Sequence, residues 1–285
     1  MKKLLAFLLA LTMIVGAMFT MVSCGKDDDK NADNKCKDGH TYDDAGTCTV
    51  CGAKESDIPS PKKTLKVATS PDFPPFEELV NGEIVGIEVE IIELICEELG
   101  FAIEYVDMSF DAVIPGIQTG KYDVGMSGIS ITPDRELNVC FTTPYCLAAQ
   151  CIVVKADSNI ASKADLAGKK ISVQTGTTAE EFCLSEGYQV DGYEANAEAK
   201  SALTAGKVDA WVVDDLTAAE MCKNDPSVKI LSEHMTTEPY AFAFNFEDEA
   251  LALLFDEVLV ELIDNGTIAS IFEKYGAPYT APEAK

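Results

Sequence analysis

One arginine stands alone among the basic residues of this chain. Of 22 lysines and arginines, only Arg135 is an arginine, and it ends the segment SGISITPDR, directly after an apolar run that reads as a strand. A guanidinium grips a carboxylate through two parallel hydrogen bonds, which an ammonium cannot do. The competing reading is a chance surface arginine. A second feature suited to an anion is Gly176-Thr177-Thr178, which opens the helical pattern AEEFCLSEG. Such a turn either presents backbone N–H groups at the positive end of the helix or simply caps it. Asp214 closes the apolar run VDAWVV and offers a carboxylate to a cation, or else the N-cap of LTAAEMC, for which Asp215 competes. Phe73 and Phe110 lie in SPDFPPFEE and DMSFDAV as loop aromatics, which either seal a core or stack on a ligand.

A different chemistry is spelled near the N-terminus. Cys36, His40, Cys48 and Cys51 read C-x3-H-x7-C-x2-C, with Gly52 following. A C-x2-C pair turns two thiolates onto one ion, and the upstream cysteine and histidine complete a tetrahedron. The segment over 36–55 has almost no apolar content, so a structural zinc would have to supply its folding energy. A Cys48–Cys51 redox pair or an unstructured tether is the alternative. The remaining cysteines, Cys96, Cys140, Cys146, Cys151, Cys183 and Cys222, sit inside apolar patterns and read as small buried hydrophobes.

The first residues carry an address. Lys2 and Lys3 precede an apolar run from Leu4 to Val22, and Met21-Val22-Ser23-Cys24 resembles the bacterial lipobox, with Met where Leu is usual. Residues 1–23 are therefore expected to be a lipoprotein signal peptide, Cys24 the lipidated residue, and 24–35 a polar tether. That places the protein outside the cytoplasm, held to the outer face of the cell membrane by lipid alone. The formal net charge of −26 repels phosphate backbones and excludes nucleic acid as a natural partner.

The elements that must position these groups begin after the Pro- and Ser-rich linker 56–63. LKVAT reads as a strand, IEVEIIELICEELG as a helix ended by Gly100, FAIEYVDM as a strand, FDAVIPGIQTG as a helix and YDVGMS as a strand. Such alternation predicts α/β layers around a mainly parallel sheet. Gly120-Lys121-Tyr122-Asp123-Val124 and Gly206-Lys207-Val208-Asp209-Ala210 each follow a helix and enter a strand, so two related units are expected. Each strand ends in polar residues: Ser127, Gly128 and Ser130 after the first, Asp214 and Asp215 after the second. Ligands gather at such strand ends.

Taken in order, LKVATSPDFPPFE, NGEIVGIEVEI, FDAVIPGIQTGKYDVGMSGISITPDR, FTTPY, KKISVQTGTTAEEF, GKVDAWVVDD, EPYAFAF and DNGTIASIFEKYG resemble extracellular solute-binding protein family 3, the polar amino acid receptors of bacterial ABC importers. The resemblance runs from Leu65 to about Gly276. It implies a two-lobed, type II periplasmic-binding-protein-like fold with a hinge of two crossing strands. Lobe 1 would cover 64–148 and 241–278, lobe 2 149–240, and 279–285 would be a tail. It further implies that Arg135 clamps the α-carboxylate of a free amino acid, helped by N–H groups at Ser130 and in the Thr177–Thr178 turn. Asp214 would hold the α-ammonium with a carbonyl at Ser127 or Gly128, and Phe73 and Phe110 would sandwich the side chain. Ser70, Gln174 and Val213 would face its tip. One fixed guanidinium and one fixed carboxylate suit a zwitterion. Many relatives that bind cationic amino acids, and those that bind glutamine, carry aspartate where this chain has Ser70, so a neutral side chain, polar or moderately apolar, is expected. The implied protein is a monomer that needs no cofactor for binding and delivers its ligand to a permease. It is not an enzyme; the alternatives are a cyclohexadienyl-dehydratase-like enzyme on the same fold, or a surface sensor or adhesion lipoprotein.

Overall fold

A computed structural model describes residues 63–282. The signal peptide, Cys24, the tether and the Cys36/His40/Cys48/Cys51 segment lie outside the described residues. So do most of the linker and the last three residues of the expected tail.

The chain opens with β1 (Thr64–Thr69), whose Leu65 and Val67 are fully buried. A small antiparallel flap follows, made of β2 (Asp72–Phe73), β3 (Glu77–Val80) and β4 (Glu83–Val85). Helix α1 (Ile87–Leu99) buries Ile87, Ile91, Ile92 and Ile95 at helical spacing, and Gly100 ends it in the left-handed region at φ 74°. Next come β5 (Ala102–Asp107), α2 (Phe110–Gln118), β6 (Val124–Gly125), the single turn α3 (Pro133–Glu136) and β7 (Cys140–Phe141). The expected strand YDVGMS narrows to two residues, although just past it the Met126 N–H still donates to the Ala68 carbonyl of β1.

The chain then crosses on β8 (Cys146–Ala148) into β9 (Gln150–Lys155), β10 (Lys170–Gln174), α4 (Thr178–Ser185), β11 (Gln189–Tyr193), α5 (Asn196–Thr204), β12 (Ala210–Asp214), α6 (Asp215–Cys222) and β13 (Val228–His234). It returns on β14 (Glu238–Tyr240) to β15 (Ala243–Phe244), α7 (Glu249–Asp264) and α8 (Thr267–Lys274).

The two five-stranded sheets are ordered β5-β1-β6-β15-β7 and β11-β10-β12-β9-β13. In each, the fourth strand runs against the rest: β15 is antiparallel to β6 and β7, and β9 to β12 and β13. Each is the strand entered straight from a crossing strand, which delivers the chain in the reverse direction. The crossing strands β8 and β14 pair antiparallel with one another, Glu238 opposite Ala148 and Tyr240 opposite Cys146. The segment after α8 is not a free tail at its start. The ring of Tyr279 lies 5.0 Å from that of Phe272, its hydroxyl donates to the Tyr145 carbonyl, and Leu147 N–H donates to the Thr280 carbonyl.

Candidate functional site

The C-terminal ends of β1 and β6 in one lobe face those of β10 and β12 in the other, where open α/β sheets present ligand groups. Phe73, Phe110, Ser127, Gly128, Ser130, Arg135, Gln174, Thr177, Thr178 and Asp214 line a single pocket there.

Arg135 is placed by a capped turn. Thr132 is the N-cap of α3 and its hydroxyl accepts the Arg135 N–H at 3.2 Å, with Pro133 favouring the turn. The side chain is buried. Nη1 donates to the Ser130 carbonyl at 2.9 Å, and Nη2 crosses to the Gly176 carbonyl of lobe 2 at 3.1 Å. The Ser130 carbonyl is free to accept because the bridge to Tyr240 is carried by the flanking residues, Ile131 N–H to Pro239 and Ala241 N–H to Ile129. The guanidinium lies 5.5 Å from the Phe110 ring centroid, within cation–π range. Burial pulls its pKa below the usual range, but a guanidinium stays charged in proteins.

Asp214 is the backbone N-cap of α6, yet its carboxylate does no capping. It accepts instead from Gln150 Nε2 at 3.0 Å, and the same Nε2 lies 3.2 Å from Thr178 Oγ1. Burial, followed by the charge of Glu238, pushes the Asp214 carboxyl up to about 8. Asp215 takes the local role, its Oδ1 accepting the Leu216 N–H at 2.8 Å.

The Gly176-Thr177-Thr178 turn is both cap and binding edge. Thr177 Oγ1 accepts the Glu180 N–H and donates to the Gln174 carbonyl, while Glu180 Oε2 takes the Gly176 N–H at 2.7 Å. Thr178 begins the helix, where N–H groups have no intrahelical acceptor. Gly128 sits at φ 53°, and a Cβ there would stand 2.6 Å from the Phe73 ring; glycine lets that ring close against the strand end. Phe73 and Phe110 are not loop residues: Phe73 ends β2 and Phe110 begins α2.

Two expected pocket residues lie elsewhere. Val213 points away from the cleft and packs in the core with Cys151 and Trp211, because it precedes Asp214 on a strand whose side chains alternate. Ser70 lines an adjoining groove with Asp72, Asp107, Glu194 and Glu198, and its hydroxyl donates to Asp72 Oδ1. Asp72 was not expected at the site. Its carboxylate reaches across the cleft to Gln174 Nε2 at 3.2 Å and the Asn196 N–H at 2.6 Å, at the otherwise uncapped start of α5. Gln150 was also missed, although a lone amide entering the apolar run CIVV was a usable signal. A larger groove of about 610 Å³ lies on lobe 1 among Ile84, Glu93, Tyr105 and Tyr275, but its charged residues are all acidic and offer nothing to a carboxylate.

Comparison with known proteins gives the family and the fold. Residues 65–278 match the family described as bacterial extracellular solute-binding proteins, family 3. The chain belongs to this family. It is 30% identical over 234 residues to the arginine-binding extracellular protein ArtP of Bacillus subtilis (strain 168), covering 80% of this chain and 91% of that protein. Among solved structures it is similar to a P235GK mutant of ArgBP from T. maritima, with 38% identity, a TM-score of 0.72, and coverage of 75% of this chain and 95% of that one. An ancestral arginine-binding protein bound to glutamine matches with 36% identity and a TM-score of 0.72, over 77% of this chain and all of that one. The two-lobed periplasmic-binding-protein-like fold is thus shared with proteins that bind amino acids. Among the described residues, no helix is long and apolar enough to cross a membrane, and no cluster of His, Cys, Asp or Glu could hold a metal ion.

Proposed function

We propose that this protein is the substrate-binding lipoprotein of an ABC importer, capturing one free amino acid by hinge closure and handing it to a membrane permease. One observation carries this reading: a buried guanidinium from lobe 1 and a buried carboxylate from lobe 2 converge on one pocket, and neither is ion-paired within the described residues. A buried guanidinium without a protein anion, facing a carboxyl group that an ammonium would ionise, calls for a ligand that carries both opposite charges. The pocket is lined by no histidine, and its single carboxyl group, Asp214, is tied by Gln150, so binding accounts for it better than dehydratase chemistry.

The ligand's side chain is read from Asp72. The neutral side chain expected from Ser70 rested on there being no acid at the tip; Asp72 stands in the adjoining groove, bonded to Gln174, which lines the pocket. Its carboxylate accepts from three neutral donors, and no lysine, arginine or histidine within the described residues pairs with it. A side chain ending in N–H donors answers that group. A guanidinium answers it most fully; a neutral amide is the second reading, favoured by the glutamine-bound relative. In a thermal-shift panel of free amino acids at equal concentration, arginine or glutamine should give the largest shift. Arg135→Ala should weaken binding of the best ligand by about two to four decades, from about 3–5 kcal/mol for stripping one buried charge partner. Glutamate or leucine at the head of the panel, or Arg135→Ala binding within a few-fold of wild type, would overturn the reading.

The lipid anchor at Cys24, the monomeric state and a structural zinc at Cys36, His40, Cys48 and Cys51 belong to the same proposal. Protein purified under reducing conditions should hold about one zinc, and a chelator should remove it without changing amino-acid affinity.

A further inference from the structure

Beneath the pocket floor lie two carboxyl groups that ligand capture does not directly use. Glu77, on β3, and Glu88, on α1, are both fully buried, and no lysine, arginine or histidine among the described residues forms an ion pair with either. Their hydrogen-bond partners are adjacent residues, Ser127 for Glu77 and Gly128 for Glu88, so both carboxyl groups sit beneath one peptide. Both Glu88 oxygens accept, Oε2 from the Gly128 N–H at 2.8 Å and Oε1 from the Tyr145 hydroxyl at 2.6 Å, which marks Glu88 as the carboxylate. Glu77 Oε1 accepts from Ser127 Oγ at 2.9 Å, whereas Oε2 finds no donor. An oxygen with no donor beside a carboxylate is where the acid proton belongs. Two like charges in contact in a buried site cannot both be ionised. The titratable neighbours are Tyr145, Cys146 and, further off, Asp72; none supplies a positive charge.

We propose that Glu77 and Glu88 share one proton and act as positioning residues that aim the Ser127–Gly128 peptide at the ligand's ammonium group. The peptide group is planar and trans, so its N–H and C=O point opposite ways. Glu88 draws the Gly128 N–H into the lobe, and the Ser127 carbonyl is thereby turned toward the pocket that Ser127 and Gly128 line. Glu77 completes the arrangement from the other side. It holds the Ser127 hydroxyl, which in turn accepts the Ser70 N–H at 3.1 Å and ties the end of β1 to the end of β6. The role at the ligand rests on the amino-acid reading of the pocket; the shared proton does not.

The test uses the full chain, with L-arginine and L-glutamine as probes. Glu77→Gln reproduces the protonated acid, with an oxygen for Ser127 and an N–H for Glu88, and should bind the better probe within about threefold of wild type. Glu88→Gln cannot accept from both Gly128 and Tyr145, and Glu77→Leu keeps the bulk but neither hydrogen bond. Each should lose about tenfold or more, the scale of one orphaned buried donor. The proton is read without ligand. Burial and the charge of Glu88 hold the Glu77 carboxyl well above its ordinary value of 4.5, so its stabilisation is full below that value and is lost as pH rises toward the folded one. The melting temperature of wild type should therefore fall relative to that of Glu77→Gln as pH rises above 4.5. Parallel melting profiles would overturn the shared proton, and Glu77→Gln losing affinity as badly as Glu77→Leu would overturn the positioning role. Wild type binding neither probe would sink the amino-acid reading and the positioning role with it, while the melting comparison still decides the proton.

Discussion

Asp214 and Arg135 differ in what burial does to them. The guanidinium keeps its charge regardless, whereas the carboxyl is pushed up to about 8 and holds a proton through much of the neutral range. An ammonium needs the ionised form, so ligand must expel that proton. Each complex formed near pH 7 should release a substantial fraction of a proton, and affinity should rise with pH until Asp214 is ionised at about 8. Calorimetry in buffers of different ionisation enthalpy measures this directly. A proton count of zero at pH 7 would mean that Asp214 is already ionised or does not meet the ammonium. Gln150 matters to this balance because its amide is the donor that orients the Asp214 carboxylate from the neighbouring strand. In the sequence Arg135 stood out by type and Asp214 by place, but nothing in residue order tells that Gln150 and Asp214 face each other in register across β9 and β12. Asp72 was legible as an acid and illegible as a site residue, since its direction follows from the β2 flap and its partners lie 102 and 124 residues away.

At the scale of elements, closure depends on how nearly the turn before α4 approaches α2. Gly176 sits at φ 78°, and a Cβ there would stand 2.8 Å from Asp111 Cβ and 3.0 Å from Asp111 Cα, both in the opposite lobe. That is backbone-scale contact, which side-chain rotation cannot relieve. Gly176→Ala should thus hold the lobes apart and disturb the Arg135 Nη2 bond to the Gly176 carbonyl. The left-handed conformation adds about 1 kcal/mol of strain. We expect a loss of affinity of about tenfold or more, with the melting temperature of ligand-free protein changed little beyond that strain. Unaltered affinity by calorimetry would show that the turn does not need this close approach. The alternation of strand and helix was readable because β1, β5, β10 and β12 carry apolar runs and α1 a clear helical stripe. The short strands were not: β6 and β15 have two residues each, and their pairing is set by sheet geometry and not by local composition. Nor could residue order show that β9 and β15 oppose their sheets, a consequence of the crossing strands.

For the whole molecule, the contacts across the cleft form a chain from one edge to the other: Asp72 to Gln174 and Asn196, then Arg135 to Gly176, with Gly176 against Asp111. Only β8 and β14 connect the two sheets covalently, and they pair over three residues each. Two compact bodies on so short a hinge can rotate without breaking either core. The interlobe hydrogen bonds among protein groups are few, and each joins a charged group to a neutral one, so the closed state needs the ligand's differential contacts to dominate. Solution scattering should show a larger radius of gyration without ligand and a smaller one with saturating arginine or glutamine. Asp72→Ala removes the interlobe hydrogen bonds that Arg135 does not make. It should weaken the best ligand and also lessen the compaction that ligand produces, because one carboxylate holds both Gln174 of the pocket lining and the start of α5 in the opposite lobe. A radius that stays constant while ligand binds tightly would mean that the lobes are already held together by these protein contacts. The hinge would then be a fixed joint, and capture would have to proceed by local opening of the pocket instead.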